Sequence, residues 1–288
     1  MQQLKFINAR SAEFIFDLTA PYIFWKIDGL SVSPVTPIRT QAAGQHGYTL
    51  QDVLLENRTV RLTGHIHGKY LGIPEMYGLR KQLNSVCNPV LGMGRLTYKN
   101  DYGEWQIPAF VSALPYADKI QNIQTLSISF ECPSPFWLTT AQSFVSLAFI
   151  YGGLKFPLKT PGKLGTMGYR ASIDNDSDVD TPVELLMDGG SLNPVILNKT
   201  TGEFIKLAKQ MEPSDQLYIN TDPEKLEVSL ITTDEHNQRV KSNAYGYITT
   251  DSTLFSLIPG SNELTFTSDD ENRAVRIRIS FYKRYVGV

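Results

Sequence analysis

The chain has 288 residues, 27 Lys and Arg against 29 Asp and Glu, and a hydrophobic fraction of 42%. That length supports two domains of about 100–150 residues, each with a core of its own. Divided after Trp137, the first part carries 12 basic and 10 acidic residues and the second 15 and 19; neither has the basic excess of a dedicated nucleic-acid binder. The opening Met1-Gln2-Gln3-Leu4-Lys5-Phe6 lacks the basic and apolar regions of a signal peptide. The longest apolar run, Phe144 to Ile150, is the length of a strand, so no membrane insertion is expected and the protein reads as soluble and made in a cytosol. Cys87 and Cys132, with no CxxC, read as small buried hydrophobes.

Short apolar runs broken by Gly, Pro, Asn and Asp predict a mainly β chain. Phe14–Leu18 and Tyr22–Ile27 read as strands, and Asp28-Gly29 as a tight turn. Residues 31–52, with two prolines, two glycines and no clear period, form a long excursion; loops of that length are usually functional or disordered. It reads as an arm that orders against a neighbour. Residues 57–66 alternate, with Val60, Leu62 and Ile66 on the apolar side. One helix is predicted: Pro74 suits its first turn, Met76, Leu79, Leu83, Val86 and Cys87 share a face, and Asn88-Pro89 stops it. A hairpin around Asn100-Asp101 joins Gly94–Tyr98 to Gly103–Ile107. Strands at Phe110–Leu114 and Ile123–Phe130 complete a small barrel or sandwich whose opening the helix covers. Pro133 and Pro135 then forbid further ladder pairing, and Phe136-Trp137 seals the domain, residues 1–137.

The second domain, residues 138–288, is more uniformly β. Strands are predicted at Tyr169–Ile173, Val183–Met187, Pro194–Asn198, Phe204–Leu207, Leu217–Thr221, Glu227–Ile231, Asn262–Phe266 and 274–282. Their spacing suggests an antiparallel sandwich.

The search for chemistry is thin. His65 and His67 share a strand face, but no third ligand is near, and a partly exposed strand end is the better reading. Asp174–Asp180 has the look of a calcium loop, yet Val179 and Leu185 stand where glycine and glutamate are needed, which favours a polar turn with Asx hydrogen bonds. Residues 268–272 read as a solvated hairpin tip. There is no GxSxG, P-loop or GxGxxG, so no catalytic, cofactor or metal site is expected. Tyr218, Tyr245 and Tyr247 are candidates to stack on a sugar.

The order of Ile27-Asp28-Gly29-Leu30, Arg58-Thr59-Val60-Arg61-Leu62-Thr63-Gly64, Tyr77–Asn84, Asn88-Pro89, Leu96-Thr97-Tyr98 and the closing Phe130–Trp137 resembles the distal tail protein (Dit) family of siphophages and prophages. The second half agrees more loosely, through Thr181-Pro182, Asn198–Glu203 and Pro259–Asn262. The resemblance implies a structural baseplate hub at the virion tail tip, assembled in the bacterial cytoplasm and forming a homo-hexameric ring. The first domain would form the ring and meet the tail tube protein. The second, a galectin-like sandwich, would hold the tail-associated lysin or tail fibre and the receptor-binding protein. DNA would pass through the hole without specific binding. A ring needs heterologous contacts, and the arm supplies the candidates Pro34, Pro37, Ile38 and Tyr48. The alternative is a glycan-binding adhesin whose C-terminal sandwich touches carbohydrate on the host surface; a cell-wall hydrolase ranks third.

Overall fold

The computed structural model describes residues 2–67, 73–120, 123–150, 168–233, 238–270 and 275–288. The chain divides into two units, Met1–Thr140 with Tyr285–Val288, and Ala141–Arg284. The sequence reading assigns 138–288 to the second domain, whereas the last four residues lie with the first. They are tied there by the Val288 N–H donating to the Leu30 carbonyl at 3.1 Å and the Arg58 guanidinium donating to the Val286 carbonyl at 2.7 Å.

In the first unit the strands are β1 (Gln3–Ile7), β2 (Glu13–Phe16), β3 (Tyr22–Asp28), β4 (Val35–Thr40), β5 (Thr49–Leu55), β6 (Arg58–His67), β7 (Gly94–Lys99), β8 (Glu104–Ala113), β9 (Tyr116–Ile120), β10 (Ile123–Cys132) and β11 (Trp137–Thr139), with helix α1 (Ile73–Val86) after β6. The main path runs β2-β1-β7-β8-β10-β6-β3. A bridge between Asp17 and Ile23 joins its two ends, the Asp17 N–H donating to Tyr22 and the Phe24 N–H to Asp17, so the sheet closes into a small barrel. Closure removes the unpaired edges that an open sheet leaves to solvent. Strand β8 serves both halves: residues 104–109 pair with β7 and residues 110–113 with β10, with a register shift at Ser129/Phe130.

Period two decides what faces inward. On β6 the buried residues are Arg58, Val60, Leu62, Gly64 and Ile66, and on β10 Leu126, Ile128 and Phe130 meet them. Helix α1 buries Met76, Leu83 and Val86, joined by Cys87 just beyond its end, with Leu79 packed at the edge. The Tyr22 hydroxyl donates to the Leu79 carbonyl at 3.0 Å and fastens the helix to the barrel; burial pushes that phenol up to about 12. After the helix the Asn88 side chain caps a single 3-10 turn, Pro89–Leu91. Trp137 is fully buried. Strand β11 continues beyond the two prolines and pairs with β8. Both cysteines are free and buried, and burial pushes the Cys132 thiol up to about 12 and that of Cys87 higher.

The second unit is an antiparallel sandwich built from two halves that share the strand Ser143–Ile150. Its first residues pair with Arg276–Phe281 and its last with Gly168–Asn175. Beyond Arg276–Phe281 the order continues through Glu184–Asp188, Gln216–Asn220, Glu227–Thr233 and Arg239–Asn243; beyond Gly168–Asn175 it continues through Gly260–Thr267, Val195–Asn198 and Phe204–Lys206. Alternate residues such as Leu185, Met187, Leu217, Ile219, Ile277 and Ile279 form its core. In the polar turn after Asn175, the buried Asn175 amide donates to Thr181 Oγ1 at 3.2 Å and to the Leu257 carbonyl at 3.1 Å, and its oxygen accepts from Ser177 Oγ at 2.6 Å. The turn spends its polar atoms on the fold. Residues 271–274, expected as the end of a hairpin tip and the start of the last strand, lie outside the described residues.

Candidate assembly surface

The arm expected from residues 31–52 is a hairpin. Among the described residues strands β4 and β5 pair only with each other, Val35 opposite Leu55, Pro37 opposite Val53 and Arg39 opposite Leu50, with a register shift after Ile38. Pro37 is tolerated because a two-stranded ribbon consists of edges. The pleat places Val35, Pro37, Val53 and Leu55 on one face and Thr36, Ile38, Asp52 and Leu54 on the other. Gln45 ties the connecting loop, accepting from the Ala42 N–H at 2.9 Å and donating to Thr49 Oγ1 at 3.1 Å. Arg39 lies over the Tyr48 ring, 5.1 Å from its centroid.

The hairpin has no core. Val35, Tyr48, Leu50, Val53 and Leu54 are 45–53% exposed and Ile38 is 40% exposed. Ordering each residue costs about 1–2 kcal/mol of backbone entropy, and an isolated hairpin is at best marginal in water. Of the residues singled out from sequence, Ile38 and Tyr48 lie on the hairpin with their side chains in solvent, Pro37 is half-buried, and Pro34 is exposed at its root, where its carbonyl accepts from the Glu56 N–H at 2.8 Å.

That root is held by a residue the sequence reading passes over. Arg58 is 1% exposed. Its Nη1 donates to the Gly29 carbonyl at 2.6 Å and to the Ser31 carbonyl, its Nε and Nη2 to the Pro135 carbonyl at 3.0 and 2.8 Å, and its Nη2 to Val286. The guanidinium also sits 5.8 Å from the centre of the Trp137 ring. Four carbonyl oxygens thus replace the water around a buried cation, and the planar fork of Arg suits that task as Lys does not. Burial lowers its affinity for the proton from the ordinary arginine value. The signal is present in the sequence: Arg58 has the same parity as Val60, Leu62 and Ile66, hence the inward face. Gly29 completes the root with φ +89°, where an added Cβ would lie 2.1 Å from the Thr59 carbonyl oxygen.

At the other end of the β3–β6 pair, His65 and His67 face outward with ring centroids 6.1 Å apart, and Trp25 lies 5.3 Å from His65. Desolvation, then the neighbouring His67, lowers the His65 pKa. Among the described residues no group of three His, Cys, Asp or Glu is placed to hold a metal. Of the candidate tyrosines, Tyr218 stands on the strand Gln216–Asn220 and Tyr245 and Tyr247 on a separate 3-10 turn. Lysine ammonium groups stand over two of these rings, Lys241 at 5.5 Å from Tyr218 and Lys209 at 4.4 Å from Tyr247. No described helix is long and apolar enough to cross a membrane.

Comparison with known proteins agrees with this architecture in both units. Residues 20–132 match the family model of the phage tail protein RIFT-related domain, and residues 176–285 that of the siphovirus-type tail component, C-terminal domain. No curated protein sequence matches the chain. The fold is similar to the crystal structure of the Dit protein of phage SPP1, with a TM-score of 0.67 at 12% identity over 99% of each chain. It is also similar to a chain of the phage p2 baseplate in its activated conformation with Ca, with a TM-score of 0.54 at 13% identity over 100% of each chain. With a mainly β fold of two units, each matched in order by a phage tail domain, the chain belongs to the distal tail protein family of siphophages and prophages, structural rather than enzymatic components of the phage tail.

Proposed function

We propose that copies of this chain close into a homo-hexameric ring at the distal end of the tail, with the hairpin of each first unit clasping its neighbour. The observation that carries this reading is the hairpin itself: a ribbon with apolar side chains in solvent on both faces, on a root fixed by Arg58 and Gly29. A rigid root with an uncovered arm suits a surface completed by another subunit. The first unit would abut the tail tube, and the sandwich would carry the tail-associated lysin or tail fibre and the receptor-binding protein. The similar SPP1 protein is described as a paradigm of hub adsorption apparatus in phages that infect Gram-positive hosts, and the p2 chain as part of a baseplate; both descriptions support a hub role here. DNA leaving through the ring should meet little phosphate attraction, and the near-neutral first 137 residues suit that passage.

The test is solution mass by light scattering with negative-stain images of the same peak. Six 32.3 kDa chains give about 190 kDa for a closed cyclic assembly. A single chain at every concentration, alone and with purified tail tubes, would overturn the reading.

A further inference from the structure

We infer that residues 285–288 are a latch that sets the root of the hairpin only after the sandwich has folded, so that chains without a folded sandwich are kept from joining a ring. This rests on the ring reading above and adds to it a control on when the first unit becomes competent.

The latch is seated on the segment from which the hairpin grows. The Val288 N–H donates to the Leu30 carbonyl at 3.1 Å, and the Val286 carbonyl accepts from Arg58 Nη2 at 2.7 Å. Gly287 runs so close to the chain before β4 that an added Cβ would lie 3.2 Å from the Ser31 Cα and 3.4 Å from the Leu30 carbonyl oxygen. Tyr285 and Val288 pack, partly buried, against the core of the first unit. Three of the carbonyls that Arg58 holds, at Gly29, Ser31 and Pro135, lie within 77 positions of it, and the fourth lies 228 positions on. Until that fourth carbonyl arrives, the guanidinium must admit water or stay short of an acceptor, and either loosens the root.

The residue just before the latch is fastened inside the sandwich. Arg284 donates its N–H to Ser177 Oγ at 3.0 Å and accepts at its carbonyl from the Asp178 N–H at 2.9 Å. Its guanidinium pairs with Asp222 at 3.0 Å, both side chains being largely covered. Ser177 donates in turn to Asn175, whose amide reaches the Leu257 carbonyl 82 positions away. The site that holds Arg284 therefore exists only once distant strands of the second unit have come together. From Arg284 to Val286 is two residues, at most about 7 Å of chain, too short to go slack. A sandwich that fixes residue 284 thus presents residues 285–288 at high effective concentration, and seating them orders few further residues. The polar turn at 175–181, which holds no ligand site, has this presentation as its task.

The three tryptophans of the chain, Trp25, Trp105 and Trp137, all stand in the first unit, so their fluorescence follows that unit through denaturation. Ile279→Ala, a change in the sandwich core, should lower the tryptophan midpoint in the full-length chain and leave it unmoved in a chain lacking residues 285–288. Hydrogen exchange at the Glu56 N–H, which closes the root on the Pro34 carbonyl, should quicken on the order of 100-fold in the shortened chain, which loses one charge-assisted and one backbone hydrogen bond. Gly287→Val keeps every residue yet cannot seat, and should quicken the same exchange; neither variant should give the ring peak in light scattering. A tryptophan midpoint that ignores Ile279→Ala in the full-length chain, or Glu56 exchange unchanged in both latch variants, would overturn the latch and leave the ring reading standing. A latch that passes both measurements in wild-type chains that never associate would overturn the ring reading alone.

Discussion

The barrel and the hairpin of the first unit are made of similar residues and held by different physics. Strands β6 and β10 alternate Val60, Leu62, Ile66, Leu126, Ile128 and Phe130 inward, all essentially without solvent contact. Each such side chain contributes roughly 1.5–3 kcal/mol on burial, and their one-sidedness fixes the register, because a slip of one residue would turn the set to water. Strands β4 and β5 carry Val35, Ile38, Leu50, Val53 and Leu54, and most of that surface stays wet. The same residue types stabilise the fold in one place and, in the function we propose, meet a neighbouring copy in the other. What separates the two is whether a second layer of chain lies above the ribbon.

The largest effect that sharpens this contrast is expected where the two regions join. Arg58→Met strands the carbonyls of Gly29, Ser31, Pro135 and Val286 without their donor. It should cost about 3–5 kcal/mol, read as a lower denaturant midpoint of the first unfolding transition. Arg58→Lys should recover little of that, since a single ammonium does not present the guanidinium fork. An Arg58→Met protein of wild-type stability would show that the root is held by the apolar core alone.

Gly29→Ala should come next, at about 1–3 kcal/mol, because its φ of +89° and the nearby Thr59 carbonyl both reject a side chain. Gly44→Ala on the hairpin loop tests the strain alone: its φ is +80°, but no atom lies within 4 Å of the added carbon. It should cost no more than about 1 kcal/mol. Equal losses at the two glycines would mean that conformation rather than close approach decides.

Val53→Asp should change monomer stability by no more than about 0.5 kcal/mol, while abolishing the ring peak in light scattering. A large loss of stability would show that the hairpin is part of the folding unit, and the contrast would fail. The smallest effect concerns pH. His65 has a folded-state pKa below its unfolded value, so the unfolded chain binds the extra proton. Stability should therefore decline slightly as pH falls through about 6.5 and level off below the folded pKa. In His65→Gln a thermal-melt series from pH 8 to 5 should lose that part of the slope.

Much of the molecule is legible in the sequence. Helix α1 is readable with its buried face, because Met76, Leu83, Val86 and Cys87 recur at helical spacing against one surface. Most strands of the sandwich are equally plain, since buried and open residues alternate along them, as in Glu184–Asp188 and Arg276–Phe281; Arg239–Asn243, exposed throughout, has no alternation to read and escapes the prediction. Strand β1 escapes the reading although Leu4 and Phe6 are buried, for five residues carry little periodic signal. The hairpin reads as an irregular arm: with no buried face it has no alternation to detect, and its prolines argue against strands.

The sequence alone thus determined the two β-rich halves, helix α1, the sealing Trp137 and the family, because these rest on local periodicity and on the order of short motifs. Only the tertiary structure decided that β2 and β3 close the barrel, that the last four residues return to the first unit, and that a buried arginine gathers Gly29, Ser31, Pro135 and Val286. Those carbonyls lie as far as 228 positions from Arg58 in sequence, and a hydrogen bond leaves no mark on the spacing of residues that only folding brings together.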